Sequence, residues 1–256
     1  MTHIAFLGGN GHCAARLTAA RRFEEGLAFA DVPYPGFEGR PRAGDLESFL
    51  DEVVAGVGAP SLVYATGIGG LFALCLRARG RLEATPILLQ APVLWGLEHR
   101  LMPRVMRRSW ARRLVRRVFA ARAFQSHFVR THFERPLSDE LRAAFFDGYA
   151  QCAALPDLFA WLTPALLRRL EREFAGRPRA LDRVDVWWGS RDRVVTTDEL
   201  RWTQAALGAA WPVRVYRGWG HYPMIDHPGE WVDELRRHLS EPAGRGDSLR
   251  SPEVTP

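Results

Sequence analysis

An apolar run, Ser61 to Thr66, ends on Gly67-Ile68-Gly69-Gly70 and passes without a spacer into a second apolar stretch, Ile68 to Arg79, of helical length. Three glycines within four residues leave the junction almost bare of side chains, so a strand can turn there sharply into a helix. The residues on both sides of the turn have to be small for the backbone to close so tightly.

The same alternation of short apolar runs with longer amphipathic segments recurs along the chain, as it does in parallel strands joined by crossover helices. Ile4 to Leu7 runs into Gly8-Gly9-Asn10-Gly11 and a helical stretch around Ala14 to Phe23; Leu27 to Val32 ends in Pro33-Tyr34-Pro35-Gly36. A helix follows from Asp45, its N-cap, to Val57. Further strands are predicted at Pro86 to Leu89, Val184 to Trp188 and Val213 to Tyr216, with helices at Thr197 to Ala209 and Pro228 to Leu239. From Leu97 to Ala180 strand signals stop and arginine-rich helical patterns take over, broken at Pro136, Pro156, Pro164 and Gly176-Arg177-Pro178. The expected layout is a core over 1–96 and 181–240, a helical cap over 97–180, and a polar, disordered tail over 241–256.

Two further motifs sit at strand ends: Gly189-Ser190-Arg191-Asp192, then Gly218-Trp219-Gly220-His221-Tyr222-Pro223. With the glycine junction they resemble the α/β-hydrolase superfamily, whose nucleophile, acid and histidine arrive in that chain order. The likeness covers roughly residues 3 to 240 and points to cap-bearing esterase or C–C hydrolase-type members. It implies an α/β fold with a mostly parallel sheet of about six strands, the first two family strands missing, and a helical cap insertion. By the same resemblance Asp192 is the triad acid and His221 the triad base. Gly8-Gly9-Asn10-Gly11 is similar to the family's His-Gly loop, which implies an oxyanion hole made of the Asn10 and Ile68 amides. Asp31 through Gly39 resembles a structural loop of the family. Loss of the first strands leaves Leu27 to Val32 on an exposed edge, which predicts a homodimer or shielding by a terminus.

The nucleophile position falls on Gly67. A frame centred on Thr66 would put Tyr64 and Ile68 where small residues are required. Without a hydroxyl or thiol there is no acyl-enzyme, so the ordinary serine mechanism is unavailable. An Asp192-His221 dyad still makes a general base, and the leading expectation is an enzyme acting on a small, largely apolar carbonyl compound. Hydrolysis of an ester, thioester or lactone, or proton abstraction, fits that dyad. Two alternatives stay open: a non-catalytic binding protein of the same fold, and a serine hydrolase engineered to glycine.

The formal charge is +6, and all 35 basic residues of the Lys+Arg count are arginines. Arg104, Arg108, Arg112 and Arg116 recur every four residues beside a parallel row of Met106, Trp110, Leu114 and Val118. That predicts an amphipathic helix with a solvated basic face and a buried apolar one; the sharper reading is a dock for a coenzyme A phosphate or an acidic acyl carrier. The cap aromatics, among them Phe119, Phe124, Phe128, Phe145, Phe146, Phe159 and Trp161, are expected to divide between core and pocket roof. No nucleic-acid motif interleaves the arginines with stacking aromatics. Cys13, Cys75 and Cys152 have neither disulfide nor zinc spacing, Cys75 reads as a buried thiol, and His12 and Cys13 as loop residues. His127, His132 and Glu134 read as a surface cluster, so neither metal nor cofactor is expected. With no leader pattern and no apolar run of roughly 18 residues, a cytoplasmic protein without a membrane partner is expected.

Overall fold

Six apolar runs become strands: β1 (Thr2–Leu7), β2 (Leu27–Asp31), β3 (Leu62–Thr66), β4 (Ile87–Gln90), β5 (Val184–Gly189) and β6 (Val213–Tyr216). They form one parallel sheet in the order β2-β1-β3-β4-β5-β6, with β2 at one edge and β6 at the other. Every residue of β3 and β4 is buried, as strands covered on both faces must be, which is why their sequences are unbroken apolar runs. The structure, a computed structural model, describes residues 1–10, 14–96, 99–207 and 213–240; the tail and the loop residues His12 and Cys13 lie outside these.

Helix α1 (Leu46–Val57) starts where predicted, the Asp45 carboxylate accepting the Ser48 amide at 2.8 Å. Helix α2 (Ile68–Ala78) is buried on all sides, Cys75 included, because it lies between the sheet and two other helices. Tyr64 of β3 turns instead towards α11 (Pro228–Ser240), where its hydroxyl accepts the Trp231 indole N–H at 2.8 Å.

Between β4 and β5 come α3 (Leu101–Val105), α4 (Ser109–Ala120), α5 (Arg122–His132), α6 (Asp139–Gln151), α7 (Leu155–Trp161) and α8 (Pro164–Ala175). Pro156 and Pro164, read as breaks, stand in the first turns of α7 and α8, where the missing N–H costs no helical hydrogen bond. Phe119, Phe128, Phe145, Phe146 and Tyr149 pack into one buried cluster, Phe119 and Tyr149 stacking at 4.4 Å.

Two expectations fail, for identifiable reasons. The stretch after the first loop is two 3-10 turns, Ala14–Leu17 and Ala20–Phe23, where Arg16 is held inward by the Asn10 carbonyl and the Tyr149 hydroxyl. On α4 the buried face is Ala111, Val115 and Phe119, while Trp110, Leu114 and Val118 are 56%, 42% and 44% exposed. The two rows lie one residue apart, and the stack of Phe119 on Tyr149 turns the helix onto the second. Helix α9 (Thr197–Leu207) and the short α10 (Pro223–Asp226) complete the α-helices among the described residues, and a 3-10 turn, Pro178–Leu181, precedes β5; α10, only four residues long, left no periodic signal.

Candidate functional site

The parallel register of β1 beside β3, with Leu7 opposite Ala65, sets the Gly8-Gly9-Asn10 loop against the turn from β3 into α2. That turn is held from the far side: the Gly67 amide donates to the Gln90 carbonyl at 3.2 Å, and its carbonyl accepts the Val93 amide at 2.9 Å. Gly67 has φ +53° and ψ −122°, a conformation that L side chains rarely adopt.

The glycines of the turn differ in what they demand. A Cβ on Gly69 would overlap the Leu7 carbonyl and lie 2.6 Å from the Gly8 carbonyl; one on Gly70 would lie 2.8 Å from the Pro92 Cβ. A Cβ on Gly67 would meet nothing nearer than the Gly9 Cα at 3.7 Å. Residues 69 and 70 are therefore small by necessity, whereas position 67 has room for a side chain and only its φ is demanding.

Asp192 and His221 come together because the ends of β5 and β6 interlock. A Cβ on Gly189 would strike the Trp219 and Gly220 carbonyls, so the two loops can touch only through glycine. Across that contact the Arg191 amide donates to the Trp219 carbonyl at 2.9 Å, the Ser190 amide to Tyr216 at 3.0 Å and the Gly218 amide to the Ser190 hydroxyl at 3.0 Å. The His221 Nδ1 lies 2.9 Å from Asp192 Oδ2, whose side chain is wholly buried. Asp192 Oδ1 accepts the Val194 and Val195 amides at 2.7 and 3.0 Å. Burial pushes the Asp192 pKa up, but the neighbouring His221 charge and the hydrogen bonds from its ring and from these two amides outweigh it, leaving the carboxyl below its ordinary value. An ionised Asp192 keeps the ring proton on Nδ1, which leaves the lone pair on Nε2.

Of the residues expected to form an oxyanion hole, Ile68 is the first residue of α2, so its amide has no intrahelical acceptor. Asn10 lies on the loop facing that turn; its carbonyl accepts a hydrogen bond from Arg16, and its Oδ1 is buried with no partner among the described residues.

Arg16 drew no notice in the sequence, although an arginine inside Ala-Ala-Arg-Leu is the available signal. Its side chain is buried, reaches the Tyr149 hydroxyl at 3.2 Å, and holds its guanidinium carbon 5.3 Å from the Phe145 ring and 5.4 Å from the Tyr222 ring. It thus joins the Asn10 loop to α6 and to the residue following His221.

A cleft of about 550 Å³ opens beside His221. Arg130, His132, Glu134, Arg135, Arg191 and Arg193 line it, so its wall is charged rather than apolar. Arg191 pairs with Glu134 at 3.4 Å, while among the described residues Arg130, Arg135 and Arg193 have no ion pair. Burial, and then the charge of His221, push the His132 pKa down to about 4, so this ring stays neutral. His132 and Glu134 thus share a wall with His221, and His127, on the exposed side of α5, is apart from them.

The alpha/beta hydrolase family pattern matches residues 5–235. No curated protein matches the chain. Among solved structures it is similar to a putative lipase from Acinetobacter baumannii, at 13% identity over 93% of this chain and 83% of that one, with a TM-score of 0.67. It is similar to a variant of haloalkane dehalogenase DatA from Agrobacterium tumefaciens, at 15% identity over 94% and 90%, with a TM-score of 0.68. A 2-hydroxy-6-oxo-6-phenylhexa-2,4-dienoate hydrolase from Rhodococcus matches at 17% identity over 94% and 91%, with a TM-score of 0.63. At such identities the structural likenesses establish the fold, and the pattern over most of the sequence settles kinship: this chain belongs to the alpha/beta hydrolase family.

Proposed function

We propose that this protein is a hydrolase in which His221, oriented by Asp192, acts as general base on a water molecule that attacks a carbonyl compound directly. The observation that carries the proposal is the 2.9 Å contact between His221 Nδ1 and a fully buried, ionised Asp192. A carboxylate–imidazole hydrogen bond kept in register by two backbone amides and an interlocked pair of loops is a geometry suited to proton transfer. In this reading Gly67 stands at the family's nucleophile position, and the room left by its missing side chain receives the water.

As the water oxygen adds to the carbonyl carbon, its proton passes to His221 Nε2. The tetrahedral oxyanion is held by the Asn10 and Ile68 amides, donors of a kind worth roughly 3 to 4 kcal/mol in the transition state. As the oxyanion collapses and the C–O or C–S bond breaks, the imidazolium returns the proton to the leaving oxygen or sulfur, which departs as the alcohol or thiol. Arg16 supports the hole by fixing the carbonyl of Asn10. Esters, thioesters and lactones are the substrate class. Arg130, Arg135 and Arg193, which have no ion pair among the described residues, line the cleft beside His221 and favour a member with an anionic group over a wholly apolar one.

A screen of short esters, thioesters and lactones, with and without a distal carboxylate, tests the proposal. On any compound turned over, His221→Ala is expected to lower kcat by about 100- to 10,000-fold, with Asp192→Asn lowering it as well. Unchanged turnover in His221→Ala would show that the dyad is not the base, and no turnover of any compound by the unmutated protein would leave the pocket as a binding site.

A further inference from the structure

Over the 32 residues from Leu101 to His132 there are nine arginines and no aspartate or glutamate. That stretch carries a formal +9 against +6 for the whole chain, so the remainder is −3. Helix α4 lies at its centre and presents Trp110, Leu114 and Val118 to solvent, 56%, 42% and 44% exposed. Spaced by four, they form one row along a helix of 12 residues, about 18 Å long. Arg113 and Arg117, three residues after Trp110 and Leu114, form the next row on the solvent side. Among the described residues neither has an ion pair, nor do Arg104, Arg107 and Arg108.

We propose that α4 docks this protein peripherally on an anionic bilayer surface, with Trp110, Leu114 and Val118 in the headgroup boundary and the arginines on lipid phosphates and carboxylates. The charge selects the occupant. A second copy would bring a like-charged face against this one. An acidic protein would answer the arginines but would also need an apolar groove cut to the row of Trp110, Leu114 and Val118. A bilayer supplies smeared negative charge directly above an apolar layer, the two features this face combines. No helix among the described residues is long and apolar enough to cross a membrane, so the contact is at the surface.

Co-sedimentation of the full chain with phosphatidylcholine vesicles, with or without phosphatidylserine, tests this. Binding is expected only to the anionic vesicles and should weaken as salt rises. Arg113→Gln with Arg117→Gln should weaken it about 25-fold, at about 5-fold per arginine. Trp110→Ser should weaken it several-fold with the charge unchanged, and because these side chains are exposed, thermal melts should not move. Failure to bind anionic vesicles overturns the proposal. So does binding that Trp110→Ser leaves intact and that polyglutamate matches, which would mark an acidic protein as the partner, or a dimer that Trp110→Ser dissolves.

Discussion

Replacing Gly67 by serine separates the demands of the backbone from those of the chemistry. At φ +53° and ψ −122° a side chain is strained, at about 1 to 3 kcal/mol. Against that, serine has less freedom to lose on folding than glycine, an offset of about 0.4 to 1 kcal/mol. Steric repulsion adds little, because the new Cβ would sit 3.7 Å from its nearest neighbour, the Gly9 Cα, an ordinary van der Waals contact. Gly67→Ser should therefore fold, with a net loss of between about 0 and 2.5 kcal/mol, or up to roughly 10 °C in Tm for a chain of this size. Urea titration followed by tryptophan fluorescence measures the loss. Intact-protein mass spectrometry after a short nitrophenyl ester measures the gain, an acyl adduct at residue 67 that His221→Ala abolishes. Raised stability would contradict the strained turn, and a loss well above about 3 kcal/mol would contradict the open space beside residue 67. A folded variant that never acylates would mean that His221 does not face residue 67, and would refute the placement of the water there. Ready acylation is also the outcome expected if the glycine was engineered into a serine enzyme.

The neighbouring glycine predicts the opposite balance: Gly69→Ala puts a methyl group onto the Leu7 and Gly8 carbonyls, which are backbone and cannot yield, so a loss of about 3 kcal/mol or more is expected in the same urea titration. Gly44→Ala, with open space around its Cβ, is the neutral control. Asp226 supplies a pH dependence: burial, with the nearby charge of Glu134 adding to it, raises its pKa to about 6 against the hydrogen bond it accepts from the Glu134 amide. Because the folded value lies above the unfolded one, the stability is fully present below about pH 4 and lost as pH rises through about 6. Asp226→Asn should accordingly stabilise the protein near neutrality by about 1 to 2 kcal/mol, allowing for screening, and have no advantage below pH 4 in paired thermal melts.

The glycines of the β3-α2 turn were legible because close backbone approach leaves no alternative residue, and Asp45 as N-cap because its bond is local. Asp192 and His221 were legible from motif and chain order, although only the interlocking of β5 with β6 through Gly189 explains why they meet. The cleft arginines were not, since Arg130 and Arg135 come from the end of α5 and just beyond it, while Arg191 and Arg193 come from the loop after β5. No periodicity connects such positions. Arg16 was hidden for a different reason: in a chain whose basic residues are all arginines, one buried guanidinium looks like the rest.

By itself the sequence determined the alternation of strand and helix, the parallel sheet, the strand-to-helix turn at Gly67 and the order of the acid and the histidine, because each depends on local backbone preference or short-range spacing. The tertiary structure alone decided which of two apolar rows α4 buries and that Arg16 reaches the Asn10 loop. Those choices depend on what lies opposite: Phe119 finds Tyr149 and turns α4 until Trp110 faces water. A helical repeat shows that a face is apolar, and only the packing partner determines whether that face is covered.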